Sequence, residues 1–179
     1  TRHRIASFSV QSQRYVRQDN FVFIIPPAIE ANDETKAIFQ EAMFNAYEAY
    51  NTLADTLAAG YREQLLAKGM SEKAAARTAE KRAIEDARFV LPNACETKLV
   101  FTMNARSLQN FFRLRCCNRA QWEIRQLAEE MLRLCAGVAP ALFQKSGPPC
   151  CGGTGGPGGK VTCGEMEAVR ARIEVIRHG

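Results

Sequence analysis

The sequence predicts an α/β (α+β) fold in which short strands are flanked by long helices and helices predominate. Residues 21–25 predict a buried strand that stops at two prolines, and residues 98–103 predict a second strand that stops at an asparagine. Between and after these runs, apolar residues recur at helical spacing over several turns. A chain of 179 residues is long enough for one domain with a sizeable core.

The first long helix is predicted to begin at Asn32 or Asp33, because both side chains cap helix N-termini well. Its apolar face runs through residues 38–57. That spacing favours packing against a core or a second subunit over a cofactor-binding role. Gly60 and Gly69 then interrupt the pattern and predict breaks.

Further helices are predicted along the rest of the chain. Ser71 is expected to cap a second helix that reaches about Phe89 and carries a charged, solvated surface. Residues 141–145 predict a single helical turn, and residues 165–176 predict a short charged helix. An amphipathic helix over 122–134 is expected to be structural, with an apolar face formed by Trp122, Leu127, Ala128, Met131 and Leu134.

Composition limits the classes of function. The chain has 24 Lys and Arg against 19 Asp and Glu, a net charge of +5 that suits an anionic ligand and is too small to argue for nucleic acid. It has no apolar run long enough for a membrane span and no secretory signal, so no membrane partner is expected. Its seven cysteines, without an export signal, predict reduced thiols and a cytoplasmic location.

The first motif is a basic segment over residues 2–15 that contains no acid and no glycine. Arginine carries a permanent charge on a planar fork that matches phosphate oxygens two at a time. Serine hydroxyls add donors that a phosphate or a pyrimidine carbonyl can accept. The segment therefore suits an anion, although a solvated basic strand or loop has the same composition. Its polar side chains include Arg2, His3, Arg4, Ser7, Ser9, Ser12 and Arg14.

The second motif covers residues 104–115, N-A-R-S-L-Q-N-F-F-R-L-R. Asparagine amides can pair with ring edges or ribose hydroxyls, and the start of a helix adds outward-facing backbone donors. The competing interpretation is a basic amphipathic helix that buries Leu108, Phe111, Phe112 and Leu114. On a helix, two sets would each share a face: Arg106, Asn110 and Arg113, and Asn104, Leu108, Phe111 and Arg115.

These motifs carry a resemblance to a known family. The spacing R-H-R-x-x-S-x-x-x-x-S-x-R at residues 2–14 resembles the signature of the flavin-dependent thymidylate synthases, the ThyX-type family. The segment A-R-F-V-L-P at 87–92 is similar to one of the family's helix ends. The second motif, followed by A-Q-W-E-I-R at 120–125, is similar to the family's second block. The resemblance covers roughly residues 1–134.

The resemblance implies an enzyme that methylates dUMP to dTMP. Methylenetetrahydrofolate would donate the carbon, FAD reduced by NADPH would supply the hydride, and no cysteine nucleophile would be needed. Arg115 is implied as the catalytic residue, which favours the anionic form of the uracil ring. The implied dUMP-binding residues are Arg2, Ser12, Gln13, Arg14, Arg88 and Arg115. The implied FAD-binding residues are Arg2, His3, Arg4, Asn104, Arg106 and Asn110, and no metal is implied.

The resemblance also implies a mixed sheet and a homotetramer whose active sites are shared between subunits. Because family members carry a segment before the first motif, we expect the chain to be incomplete at its N-terminus. The expected organisation is a catalytic domain over 1–146, a flexible tail rich in glycine, proline and cysteine over 147–164, and a C-terminal helix over 165–179.

Three departures from the family pattern leave alternatives open. Ser9 replaces the usual asparagine, Val10 stands where many members carry a glutamate, and Arg119 stands where many carry a histidine. One alternative is therefore an inactive or degenerate fragment that only binds flavin or nucleotide. Another is a small basic nucleic-acid-binding module, although its first cluster lacks the interleaved aromatic residues of stacking platforms. A metal site at Cys150, Cys151 and Cys163 is disfavoured, because adjacent cysteines rarely share one tetrahedral ion.

Overall fold

A computed structural model describes residues 5–12, 17, 21–151 and 163–178. The chain forms two compact units, one of residues 9–100 and one of residues 1–8 with 101–179. The helix-rich α/β class is confirmed, with a small antiparallel sheet of two strands. The elements are β1 (Ala6–Val10), α1 (Pro27–Glu30), α2 (Asp33–Ala67), α3 (Glu72–Ala87), a 3-10 turn (Arg88–Val90), β2 (Leu99–Met103), α4 (Ala105–Arg115), α5 (Trp122–Val138), α6 (Pro140–Phe143) and α7 (Met166–His178).

The unit of residues 9–100 is built on the packing of α2 against α3. Buried alanines recur every fourth residue along α3, so its backbone can approach α2 closely. Tyr50 and Ala54 of α2 are buried in one cluster with Ala87, and Leu65 is buried in another with Ala75 and Ala79. The face predicted for α2 is thus partly confirmed. Ile38 and Leu53, which were expected on that face, are exposed.

The ends of α2 follow from its caps. Asn32 accepts hydrogen bonds from the backbone N–H groups of Glu34 and Thr35, as the N-cap prediction requires. The predicted break at Gly60 is wrong, because α2 continues through it to Ala67. Gly69 does end the helix: its φ of +83° allows the N–H of Met70 to reach the carbonyl of Leu65.

The predicted buried strand over residues 21–25 is wrong. In this region only Phe23 forms a bridge, an isolated antiparallel one with Cys95, and Val22 is exposed. The aromatic side chains instead pack on α2: Phe21 stacks on Tyr47 with ring centroids 4.9 Å apart. Two prolines follow directly. Because proline has no backbone N–H group, these residues cannot donate the hydrogen bonds that a longer strand pairing needs.

The second unit has a core between α4, α5 and α7. Phe112, Leu132 and Ile173 are fully buried there, and Phe111 lies beside Phe112 at 6.1 Å between ring centroids. The predicted structural helix over 122–134 is observed, but its buried face differs. Ala128, Leu132 and Ala136 point inward, whereas Leu127 and Leu134 are exposed.

The end of α6 and the start of the predicted tail belong to the same core. Pro148 is fully buried, and Cys150 and Cys151 pack against the cluster. Gly147 has a φ of +141°, a conformation that a residue with a Cβ rarely adopts. The last predicted helix, over 165–176, is observed as α7. Among the described helices, none combines the length and apolar character needed to cross a membrane.

Candidate functional site at the start of helix α4

The second motif forms a strand that runs directly into a helix. β2 ends at Met103, and Asn104 then caps α4 by accepting a hydrogen bond from the backbone N–H of Ser107 at 2.9 Å. This bond occupies the amide oxygen of Asn104. The amide nitrogen therefore remains as the group that this exposed side chain offers to a ligand.

The outer face of α4 is polar, as the helical spacing predicts. Arg106, Asn110 and Arg113 are all exposed. The guanidinium of Arg113 donates from Nη2 to Oδ1 of Asn110 at 3.0 Å and so orients that amide. The opposite side of the helix carries Phe111 and Phe112 into the core. Leu114, also expected in the core under the competing interpretation, is exposed.

Arg115 is the last residue of α4 and differs from the other arginines of this helix. Its side chain is half-buried, and its Nε atom is shielded from solvent without a hydrogen-bond acceptor in the described part of the chain. A buried donor without an acceptor costs about 1 to 3 kcal/mol, and more when it is charged. An acceptor supplied by a ligand would remove this penalty.

Ile5, which belongs to the first motif, lies against the start of α4. The backbone carbonyl of Ile5 accepts a hydrogen bond from Oγ of Ser107 at 3.3 Å. Ile5 has a φ of +60°, an unusual conformation for a β-branched residue. Strained backbone of this kind concentrates at functional sites. Sequence reasoning missed both Ile5 and the bridging role of Ser107, although Ser107 lies within the second motif.

The predicted residues of the first motif are only partly described. Arg2, His3, Arg4, Gln13 and Arg14 lie outside the described residues. Ser12 is half-buried. Of the departures from the family pattern, Ser9, Val10 and Arg119 are all exposed, so each could meet a ligand or a partner without repacking a core.

Arg88 belongs to the unit of residues 9–100 and sits at the C-terminal end of α3. Its Nε donates to the backbone carbonyl of Glu85 at 3.1 Å, and its guanidinium carbon lies 5.3 Å from the ring centroid of Phe89. The first of these contacts is the helix-end role expected of an arginine at this position. The terminal nitrogens of the guanidinium remain for a ligand, because neither contact uses them as hydrogen-bond donors.

The structure therefore brings four predicted residues together on one helix. Asn104, Arg106, Asn110 and Arg115 span α4 from its cap to its last turn, and Ile5 of the first motif lies beside the start of the helix. Ser12 and Arg88 belong to the other compact unit. Among the described residues, no group of three or more His, Cys, Asp or Glu side chains is arranged to hold a metal ion.

Comparison with known proteins identifies the family. The sequence profile described as "thymidylate synthase complementing protein" matches residues 1–141. The chain belongs to this family. A flavin-dependent thymidylate synthase from Clostridium tetani is 57% identical over 169 residues, which cover 94% of this chain and 64% of that protein. Flavin-dependent thymidylate synthases from Geobacter sulfurreducens and Saccharolobus solfataricus are 47% and 41% identical, over 94% and 83% of this chain and 63% and 48% of their own lengths.

Membership of the thymidylate synthase complementing protein family confirms the resemblance drawn from the two motifs. The match reaches residue 141 and so includes all of α4 and α5. The chain spans less than two thirds of the length of these relatives.

Proposed function

We propose that the chain carries the site of a flavin-dependent thymidylate synthase that methylates dUMP to dTMP with methylenetetrahydrofolate as the carbon donor. Its family and the names of its relatives support this reaction class. The observation that carries the proposal is the constellation on α4, where amides, guanidinium groups and an unsatisfied buried donor share one short helix.

Arg115 would be the catalytic residue. Methylation at carbon five of uracil needs electron density at that carbon, and the anionic form of the ring supplies it. A guanidinium beside the ring's N3 and its carbonyl oxygen favours this anion, because arginine remains charged and offers a fork of donors. The Nε of Arg115 has no hydrogen-bond partner among the described residues, which suits it to an acceptor such as the ring's carbonyl oxygen. The half-buried position strengthens the interaction by lowering the local dielectric constant.

Three of the cysteines, Cys95, Cys116 and Cys135, do not favour the other route, in which a thiolate adds to carbon six of the ring. Cys116 follows Arg115 directly, but burial raises the pKa of its thiol to about 12. Burial also raises the pKa values of Cys95 and Cys135 above the ordinary value. The thiolate is the nucleophilic form, so these thiols are poorly prepared for attack at neutral pH.

Asn104, Arg106 and Asn110 would hold FAD, with Arg2, His3 and Arg4 from the first motif. The described side chains fit the role: all three are exposed on α4, the Asn104 amide nitrogen is available, and Arg113 fixes the Asn110 amide. Bound FAD, once reduced by NADPH, would supply the hydride for the methyl group. The protein groups would bind and orient the flavin and the nucleotide.

The nucleotide's phosphate would be bound by Arg88 together with Arg2 and Arg14, while Ser12 and Gln13 hydrogen-bond the nucleotide. The contact of Arg88 Nε with the Glu85 carbonyl supports this role, because it fixes the side chain and leaves the terminal nitrogens for phosphate oxygens. A fixed arginine loses less conformational entropy on binding than a mobile one.

We further propose a cytoplasmic homotetramer with active sites shared between subunits. Exposed apolar side chains on one face of α5 support assembly: Leu127, Leu134 and Val138 recur at i, i+7 and i+11. The test is light scattering coupled to size-exclusion chromatography. A monomeric mass over the working concentration range would contradict the assembly, and Leu134→Glu is expected to weaken it.

The proposed function is tested by titrating the purified chain with FAD and then with dUMP, while recording the flavin absorption spectrum. We expect a bound-flavin spectrum that shifts when dUMP is added, followed by dTMP formation with NADPH and methylenetetrahydrofolate. Arg115→Lys keeps the charge and removes the fork, so kcat is expected to fall by about 10²- to 10³-fold, as for loss of one well-placed donor.

Arg133→Lys is the matched control, since Arg133 is exposed on α5 and pairs with Glu130. It is expected to leave kcat unchanged. Flavin and dUMP binding without turnover would support the degenerate alternative. Absence of any flavin binding would contradict the proposal. A nucleic-acid-binding module would instead show oligonucleotide binding that weakens steeply with salt. The cation that follows the basic segment, Arg17, is already engaged, because it pairs with Asp55 at 2.8 Å.

A further inference from the structure

A cavity of about 220 Å³ lies between α4 and the segment that follows α6. Its walls include Gln109 and Arg113 from the helix and Lys145 to Pro149 from the segment. Pockets for drug-sized ligands measure about 300 to 1,000 Å³, so this one is too small for a nucleotide or a flavin. At about 30 Å³ per water molecule it has the volume of roughly seven waters. A single phosphate or a short dicarboxylate fits that size.

The charge of the cavity selects an anion. Arg113 and Lys145 both line it, and none of its described lining residues is acidic. Across the described ranges of the chain, neither cation has a carboxylate partner within ion-pair distance. Gln109 is held at the wall, because its amide nitrogen donates to the backbone carbonyl of Leu142 at 2.8 Å. Two cations beside one cavity repel each other unless an anion lies near both.

Ser146 also lines the cavity but offers it no free polar group. The residue is only 6% exposed, and its Oγ is shielded from solvent without a hydrogen-bond partner among the described residues. Its backbone carbonyl is already used, since Nε of Arg177 donates to it at 2.7 Å. The charged groups that line the cavity are therefore those of Arg113 and Lys145.

We propose that this cavity binds a small oxyanion, either a phosphate group or a pair of carboxylates, through Arg113 and Lys145. The two guanidinium edges of Arg113 allow it to serve two neighbours at once. Its Nη2 donates to Oδ1 of Asn110 at 3.0 Å, and because the residue also lines the cavity, its other donors would serve the oxyanion.

The same contact links the cavity to the proposed flavin site. Asn110 is one of the three α4 residues proposed to hold FAD. An oxyanion that binds the guanidinium of Arg113 therefore alters the orientation of the Asn110 amide. Oxyanion and FAD affinities are then coupled, and the coupling is reciprocal. This second step rests on the proposed function, whereas oxyanion binding itself does not.

Isothermal titration of the flavin-free chain with inorganic phosphate, and separately with glutarate, tests the site at constant ionic strength. We expect saturable one-to-one binding that Lys145→Gln weakens at least tenfold. Lys73→Gln is the control, because it removes an exposed cation of α3 and is expected to leave the affinity unchanged. Saturation by phosphate alone identifies a phosphate group, and saturation by glutarate alone identifies a dicarboxylate. Failure of both, or equal weakening by both variants, overturns the site.

Ser146→Ala is a second control. Because the hydroxyl is shielded from solvent and has no partner in the described structure, its removal is expected to leave both the oxyanion affinity and the unfolding midpoint unchanged, or the midpoint raised. An oxyanion affinity weakened as much as by Lys145→Gln would contradict the assignment of the site to Arg113 and Lys145. The coupling is tested by measuring FAD affinity with and without saturating phosphate. The wild-type affinity should change and that of Lys145→Gln should not. An unchanged wild-type affinity overturns the coupling alone, and a complete lack of FAD binding contradicts the proposed function while the phosphate result stands.

Discussion

Among the glycines of the described structure, Gly147 is the one where an added methyl group should lower the free energy of unfolding most. Its φ of +141° is strained for any residue with a Cβ, a cost of about 1 to 3 kcal/mol. A Cβ there would lie 3.0 Å from Cγ2 of Ile173 and 3.2 Å from Nη2 of Arg177. Ile173 is fully buried and Arg177 is bonded to the Ser146 carbonyl, so neither neighbour moves away easily. Overpacking of this kind adds about 1 to 3 kcal/mol.

Gly147→Ala is therefore expected to lower the free energy of unfolding by about 2 to 6 kcal/mol, the sum of the two costs. For a chain of this size each kcal/mol shifts the midpoint by about 2 to 4 °C, which predicts a loss of roughly 4 to 24 °C in calorimetry or circular dichroism. The matched control is Gly60→Ala, an exposed site within α2 where an added Cβ meets nothing within 4 Å. There the variant should gain about 0.4 to 1 kcal/mol. Equal midpoints for the two variants would refute the reasoning.

Three further predictions test single contacts. Asn104→Asp should preserve the cap and the stability of α4 but weaken FAD, whereas Asn104→Ala should also cost about 1 kcal/mol of stability; chemical denaturation and flavin titration separate the two effects. The Tyr61 hydroxyl donates to Asp86 at 2.6 Å, and this bond raises the pKa of Tyr61 above its ordinary value. The stabilisation from this hydrogen bond is complete below the ordinary pKa of tyrosine and is lost as pH rises through the raised pKa of Tyr61. Asp86→Asn should move the ultraviolet titration of Tyr61 to lower pH, and an unmoved titration would contradict the contact. Exposed Cys163 should react with a disulfide reagent before buried Cys116, whose thiol should react only on unfolding.

Local signals in the sequence were sufficient for several helix ends. Asn32 and Asn104 both cap helices, and Gly69 ends one, because each of these roles depends on neighbours within a few residues. Gly60 was misread for the opposite reason. Its conformation is set by the continuous packing of α2 against α3, and a single glycine costs only about 1 kcal/mol in a helix interior.

The failures share a physical cause. The secondary structure of a short apolar run cannot be assigned from its pattern when the run packs on a helix and not within a sheet, as the aromatic residues of 21–25 do on α2. The inward face of α5 was also misjudged. Helical spacing is compatible with two adjacent apolar faces of this helix, and the folded core contacts the one that carries Ala128 and Ala136. Sequence spacing cannot supply that choice. It depends on how closely α4 and α7 approach α5, which is a property of the folded chain.

Helix α4 shows why the site residues were nevertheless easier to find than their surroundings. The same eleven residues must bury Phe111 and Phe112 and present Arg106 and Asn110 to the outside, so helical geometry alone separates the two sets. Helical geometry does not predict which groups surround each of these polar side chains. The contact of Ser107 with the Ile5 carbonyl joins segments distant in sequence, and the burial of the Arg115 Nε does not follow from helical spacing. Such features of the folded chain make a polar helix a candidate binding site, because tertiary contacts hold donors in place before a ligand arrives.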